Sequence, residues 1–334
     1  MEWPQVVVAA AVTMGVLMFD LAMLFQRGST VHSSPFVFKL SIPRIIAMSH
    51  GHTRARSEGQ RAHAGGAGPA GVGLEEKDEN RCITCPWGRF PIMIQRTPVY
   101  SSLKKILGGP ITLLAGEILG AITHVATPDP VAALTFDDGP NPKFTPCLLD
   151  ILEKHKARAT FFMLGENAQR YPQLVQRVAR AGHAIGNHSW NHPEFPSITG
   201  RERRAQIRRC AKAIAPHGQR LFRPPYGYQN IASCIDLLWL GYQVIYWNTV
   251  ANDWCTDDAE WMAARLVNQV QPGSIVLLHD NICSASKHPY FDRGPLLKAV
   301  DMFLERLQGS FHFITIPELL RTGRPHQSLI LQDH

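Results

Sequence analysis

The 334-residue sequence predicts an α/β fold: a distorted (β/α) barrel of about seven strand–helix units, preceded by a hydrophobic and partly disordered N-terminal region. Three observations lead there. From Val131 onward, short β-type runs alternate with amphipathic stretches at helical spacing. About seven such units in roughly two hundred residues suit a parallel sheet that closes or nearly closes. Polar residues follow five of the apolar runs, at what would be the C-terminal ends of strands. An open doubly wound sheet is the alternative built from the same ingredients.

The elements read in order. Strands are expected at 131–136 (VAALTF), 158–164 (RATFFML), 183–186 (HAIG), 220–223 (RLFR), 242–247 (YQVIYW), 274–279 (SIVLLH) and 311–315 (FHFIT). Helices are expected near 144–155, 170–181, 201–214, 229–240, 258–270 and 294–308, with a closing helix from Pro317. Pro128 and Pro130 punctuate the chain before the first strand, so a folded domain is placed at 131–320, followed by a tail at 321–334.

Residues 1–130 have a different character. Val6 to Phe25 is apolar except for Thr13 and Asp20, long enough to cross a bilayer and associate the chain with a membrane. The basic residues Arg27, Lys39, Arg44, Arg54, Arg56 and Arg61 all follow that run, which would keep the remainder cytoplasmic. An extracytoplasmic placement of the remainder is the alternative, and the sequence leaves both topologies open. Residues 50–80, rich in Gly, Ala, His and Arg, have the composition of a flexible tether. The weakly apolar segment 106–126 contains Glu117, His124 and several glycines, so it is expected to lie on a membrane or pack against the domain rather than span.

Composition narrows the function classes. An apolar fraction of 45% excludes wholesale disorder and a collagen-like fibre. The net charge of +7 divides almost evenly, +3 over residues 1–130 and +4 over 131–334, so no nucleic-acid partner is implied, and no partner protein is evident. The cluster Arg201, Arg203, Arg204, Arg208 and Arg209 reads as a solvated helix face. Seven cysteines include one CxxC pair, Cys82 and Cys85, without the second pair that a zinc ribbon needs. Cys147 is expected to be a buried small apolar residue of the first helix.

The five strand ends carry the chemistry. Asp137 and Asp138, before Gly139-Pro140, would point to opposite faces of a continuing strand unless the turn brings both to one cavity. There they would repel, so one can bind a metal while the other serves as a base. Taken alone, such an Asp pair is more often a turn former. His188 and His192, four apart, share a face if the segment is one helical turn, a spacing that grips a metal. With a carboxylate from another strand end they would make a two-His, one-carboxylate site, suited to a hydrolytic divalent ion and also to non-haem iron. Arg223, before Pro224, Pro225, Tyr226 and Gly227, can neutralise Asp137, and the stiff loop can aim a backbone N–H at oxyanion charge. Asn252-Asp253-Trp254 and Leu277-Leu278-His279-Asp280 close the set: a carboxylate beside an imidazole holds it protonated, as a general acid requires.

In order and identity these motifs resemble the carbohydrate esterase family 4 polysaccharide deacetylases, whose domain is also called the NodB homology domain. TFDDGP, NHSWNH, RPPYG, NDW and LLHD match the family's five motifs across about residues 131–320. The resemblance implies a metal-dependent hydrolase that removes N-acetyl groups from amino sugars of a chitin-like or peptidoglycan-like glycan. It implies Asp138, His188 and His192 as ligands of a divalent metal, zinc foremost, with cobalt or nickel as alternatives. Asp137 would be the general base and His279 the general acid. Arg223 would orient Asp137, Asp253 would orient His279, the Tyr226 N–H would support the oxyanion, and Trp254 with Leu277 would wall the acetyl pocket. The family's fourth motif usually reads Asp-x-x-Asp-Trp, whereas Val250 stands at the first aspartate here. Altered support around the catalytic pair or altered substrate preference is expected from it, not inactivity. A deacylase or deformylase of a lipid-linked sugar or small amide is the alternative activity, and a non-catalytic glycan-binding module is the alternative class. Cys255 and Cys283, beside the fourth and fifth motifs, are expected to share one rim of the site, as a disulfide if the domain is exported.

Overall fold

The computed structural model describes residues 116–283 and 288–331. The Val6–Phe25 run, the 50–80 tether and the Cys82–Cys85 pair lie outside them, as does most of 106–126. In chain order the elements are β1 (Ala121–Ala126), β2 (Val131–Asp137), α1 (Phe144–Lys154), β3 (Ala159–Met163), α2 (Gly165–Arg170), α3 (Pro172–Arg180), β4 (Ala184–Asn187) and α4 (Gly200–Ala213). They continue with β5 (Gly218–Phe222), α5 (Ile231–Trp239), β6 (Gln243–Val244), β7 (Thr249–Val250), α6 (Ala259–Gln269), β8 (Ile275–His279), α7 (Gly294–Arg306), β9 (His312–Phe313), α8 (Ile316–Leu319) and β10 (Arg324–Ser328).

Seven parallel strands make a curled half-barrel in the order β6-β5-β4-β3-β2-β8-β7, with β9 paired to the start of β2. The order explains the sequence pattern. Helices cover the sheet, so the central strands are buried on both faces and read as continuous apolar runs: β3 is buried at all five positions and β2 at all but Val131. The helices turn one stripe inward, as in α1, where Phe144, Thr145, Leu148, Leu149 and Leu152 are buried. Their starts are defined locally. Thr199 and Glu202 form a capping box on α4, Asn230 and Ser233 do the same on α5, and Asp258 caps α6 through the Trp261 N–H.

Several boundaries differ from the sequence reading. The helix expected near 170–181 is α3, and a short helix that was not expected, α2, precedes it; the two meet at Tyr171 because Pro172 lacks an N–H and can only start a helix. The strand expected at 242–247 is regular only over Gln243–Val244, and a second short strand, β7, follows it. Cys147 is exposed rather than buried: it falls outside the inward stripe of α1, and its Sγ donates to the Lys143 carbonyl at 3.5 Å. Arg203 is buried rather than solvated. Its Nε donates to Asp236 Oδ2 at 2.8 Å, and with Arg204 it joins α4 to α5 through that carboxylate.

The sequence reading assigned no strand to 121–126 or 324–328, yet β1 and β10 pair antiparallel with a register shift between Ile122 and His124. β1 packs against the domain, burying Ala121, Ile122 and Val125. The Tyr246 N–H donates to Ile122 O at 2.8 Å and the Val125 N–H to Gly273 O at 2.9 Å, so β1 is tied to the sheet beside β6 and before β8. Gly273 has φ +81°, and its own N–H donates to Val131 O at 2.7 Å. A Cβ there would fall on the Val125 carbonyl as well as strain the left-handed backbone. Gly273→Ala is therefore expected to lower unfolding stability by about 2–4 kcal/mol, read as a fall in the urea midpoint.

Candidate active site

Strand register assembles the site. Asp137 at the end of β2 is the register partner of His279 at the end of β8, and Asn187 at the end of β4 pairs with Phe222, one residue before Arg223. Parallel neighbours in step must end at one level, so the polar residues that follow them converge. Leu277 and His279 lie two apart on β8 and share a face of the sheet, with Leu277 beside Val250 of β7.

Arg223 is fully buried and every nitrogen is engaged: Nη1 donates to Asp137 Oδ1 at 2.8 Å and to Thr135 Oγ1 at 2.6 Å, Nε to Ile245 O at 3.1 Å and Nη2 to Tyr246 O at 3.0 Å. Its guanidinium carbon sits 4.2 Å from the centre of the Phe162 ring, which seals it from water. Asp137 is thus held at Oδ1, while Oδ2 faces His188 Nε2 at 3.8 Å.

Asp138 reaches the same cavity because its backbone leaves the strand conformation, at φ 70°, one residue earlier than the Gly139 turn the sequence reading relied on. Its Oδ1 lies 3.4 Å from His188 Nε2 and 3.3 Å from His192 Nε2. The two histidines are not on a helical turn. Ser189 (φ 73°) and His192 (φ 62°) fold the segment into a loop that the Asn187 side chain organises by accepting from the Ser189 N–H at 2.9 Å. His188 Nδ1 donates to the Arg223 carbonyl at 2.7 Å, since a carbonyl can only accept, and this turns Nε2 toward Asp138. Burial pushes the His192 pKa down to about 4 against the pull of Asp138, leaving a neutral imidazole at neutral pH. Burial resists the charge on Asp138 too, but the His192 and His188 imidazoles outweigh it and hold the carboxyl below its usual range.

Two buried atoms at this cluster, Asp138 Oδ1 and His192 Nδ1, have no hydrogen-bond partner. A buried carboxylate oxygen that faces two ring nitrogens and bonds to nothing is what a cation between the three would satisfy, and one carboxylate with two imidazoles is a donor set that suits a divalent transition metal. Among the described residues, Asp138, His192 and Cys283 bring ligand atoms within 4.8 Å of one another.

Across the cavity His279 Nδ1 faces the Asp253 carboxylate at 3.1 Å, and the Asp253 Oδ2 also accepts from the His279 backbone N–H at 3.0 Å. Burial disfavours the imidazolium, yet Asp253 prevails and raises the His279 pKa above its ordinary value. The Trp254 ring stands edge-on to His279, centres 5.4 Å apart, and the Tyr226 ring stands edge-on to His192 at 4.3 Å. Tyr226 itself is left-handed, at φ 57°. All ten residues selected from the sequence therefore lie at this one end of the sheet.

Two residues at the site, Arg293 and Asp280, were given no role by the sequence reading. Arg293, buried at the start of α7, donates from Nη1 to Asp253 O at 3.0 Å, from Nη2 to Asp253 Oδ2 and from Nε to His279 O at 3.0 Å. Asp280 accepts from Thr145 Oγ1 beneath Gly139, where a Cβ would strike its carboxylate. Burial first, then the charges of Asp138 and Asp137, push the Asp280 carboxyl up to about 7. Only the LLHD run, which contains Asp280, offered a sequence signal for either, and the sequence reading used it for His279. Cys283 was expected at the rim, in a disulfide with Cys255 if the domain is exported; the two sulfurs are not joined, Cys255 Sγ donating to Asn252 O at 3.3 Å and the Cys283 N–H to Asp138 Oδ2 at 2.9 Å.

A family profile described as polysaccharide deacetylase matches residues 124–245. A peptidoglycan-N-acetylglucosamine deacetylase of Bacillus cereus is 36% identical over 211 residues, covering 61% of this chain and 95% of the relative. A chitooligosaccharide deacetylase of Azorhizobium caulinodans is 35% identical over 168 residues, 49% of this chain and 80% of the relative. Among solved structures, the peptidoglycan N-acetylglucosamine deacetylase Bc1960 in complex with 4-naphthalen-1-yl-N-oxidanyl-benzamide superposes with a TM-score of 0.57 at 29% identity, over 64% of this chain and 99% of that one.

The Arg223–Asp137 pair generates the test of this geometry. Arg223→Met leaves the Asp137 carboxylate buried without a cation, and is expected to cost about 3–5 kcal/mol of stability at neutral pH by denaturant unfolding. Asp137→Asn in the same background should recover part of that loss by removing the orphaned charge.

Proposed function

The chain belongs to the polysaccharide deacetylase family, carbohydrate esterase family 4, and from that membership we propose that it hydrolyses N-acetyl groups of amino sugars in a chitin-like or peptidoglycan-like glycan, with Asp137 as base and His279 as acid. The observation that carries the proposal is the register pairing of Asp137 with His279, each with its own buried counter-charge, Arg223 for one and Asp253 for the other. A binding module needs neither a held base nor a held acid.

Asp138, His188 and His192 would hold a divalent metal, zinc being the best match to two imidazoles and a carboxylate. When bound, such an ion polarises an amide carbonyl and lowers the pKa of water. The chain's own groups do the rest. Arg223 occupies Asp137 Oδ1 and leaves Oδ2 to take the proton from the attacking water. The Tyr226 N–H, presented by a left-handed residue after two prolines, would donate to the oxyanion as the carbonyl becomes tetrahedral. His279, with Nδ1 turned to Asp253, presents Nε2 to the departing nitrogen and gives up its proton as the C–N bond breaks. Acetate and a free amine leave. Leu277 and Trp254 supply apolar surface beside His279 for the acetyl methyl. Val250, buried next to Leu277, carries no charge, and the charge at Asp253 is met by Arg293.

Acetate release from chitooligosaccharides and peptidoglycan fragments tests the reading. Asp137→Asn is expected to lower kcat by about two to four orders of magnitude with metal content unchanged. The pH dependence gives a second expectation. His279 must be protonated to act, so kcat/KM falls as pH rises through its raised pKa. Asp253→Asn removes the group that raises it, and the alkaline fall should move to lower pH. A profile that stays in place, or moves upward, would contradict the assignment of His279 as the acid.

A further inference from the structure

Cys283 is not one of the residues that the family resemblance assigns to the site, yet the chain folds it against the metal-binding cluster. Two separate contacts put it there. Its backbone N–H donates to Asp138 Oδ2 at 2.9 Å, fixing the segment that follows β8 against that carboxylate. Its Sγ belongs to the set, with Asp138 and His192, whose ligand atoms all lie within 4.8 Å of one another. The pocket between them is not chemically complete: Asp138 is 3% exposed and its Oδ1, on the side of the cluster, has no hydrogen-bond partner. The thiol is at the solvent side of this group, Asp138 at the buried side and His192 between.

We propose that Cys283 is a protein ligand of this metal site, its sulfur binding the ion alongside Asp138 and His192. The inference rests on the reading of Asp138, His188 and His192 as metal ligands and adds a soft donor to a set that is otherwise oxygen and nitrogen. On coordination the S–H proton passes to solvent and the metal–sulfur bond forms, with no change of oxidation state. A thiolate shifts the site's preference toward zinc and other thiophilic ions over harder ones. It would take one coordination position of the ion, so Cys283 sets how many remain open to water and substrate.

Cobalt substitution in the full chain tests this with a readout independent of turnover. Cobalt(II) bound by a thiolate shows a near-ultraviolet charge-transfer band that carboxylate and imidazole ligands do not produce. The wild-type chain with one equivalent of cobalt is expected to show the band, Cys283→Ser to lose it while still binding cobalt, and Cys255→Ser to keep it. Because Cys82 and Cys85 could bind cobalt themselves, the Cys82→Ser/Cys85→Ser variant is measured alongside and is expected to keep the band. Competition with a chromophoric chelator should show zinc affinity weakened by at least about tenfold in Cys283→Ser. Cobalt bound without a thiolate band, or a band lost with Cys82 and Cys85 and unchanged in Cys283→Ser, overturns the role of Cys283 alone. A chain that takes up no cobalt or zinc overturns both this inference and the reading it rests on.

Discussion

Four carboxylates buried at one end of a parallel sheet are the constraint on which the rest of this structure depends. Asp137, Asp138, Asp253 and Asp280 are all at most 3% exposed, and an unpaired buried charge costs several kcal/mol. Each is relieved by a different means, and the means define four chemical states. Arg223 neutralises Asp137 and holds one oxygen, leaving the other as an acceptor. Arg293 and His279 together neutralise Asp253, and His279 gains proton affinity from the arrangement. Asp280 gains proton affinity, its carboxyl pushed up to about 7 by burial, and accepts a hydrogen bond from Thr145. Asp138 is relieved least within the chain: two imidazoles approach one oxygen and nothing hydrogen-bonds it. The need for a cation is concentrated where the donor set can bind one.

The backbone carries its share of this arrangement. Among the described residues, five of the six non-glycine residues at positive φ, namely Asp138, Ser189, His192, Tyr226 and Asn252, lie in the segments that form the site, and Lys156 lies elsewhere. Left-handed backbone at residues with side chains costs on the order of 1 kcal/mol or more each and persists only where the surroundings impose it. Here the imposing elements are the strands, whose ends are in register, and the bonds of Asn187 and Arg223 that fasten the loops beyond them. Rigid strands set the height of each motif, and the kink after each strand turns its side chain inward.

Much of this was legible in the sequence, for identifiable reasons. The alternation of apolar runs with amphipathic stretches has a period that survives without coordinates, so the parallel half-barrel and its principal helices were readable. The site residues stood directly after the strands, in short motifs whose residue types have few other uses together. Other features had no local signal. Arg293 is separated from Asp253 by α6, β8 and the loops around them, and only the fold makes it the cation beside that carboxylate. Arg203 looked like one more residue of a charged helix until Asp236 on α5 took it into the interior. β1 and β10 pair across most of the described chain, and a strand of sequence RPHQS has none of the alternation that marks a half-buried strand. The spacing of His188 and His192 suggested a helical turn, whereas two left-handed residues bring the rings near Asp138 by a loop.

The central claim is that one ion is gripped by Asp138, His188 and His192 beside a held base and a held acid. Anomalous diffraction at the zinc edge, on crystals of the protein grown with zinc, tests it most directly. The account predicts a single strong peak within about 2.0–2.2 Å of an Asp138 oxygen and of one ring nitrogen from each histidine. Zinc-loaded crystals with no peak there, or with the ion bound by other residues while these three stay empty, would contradict it.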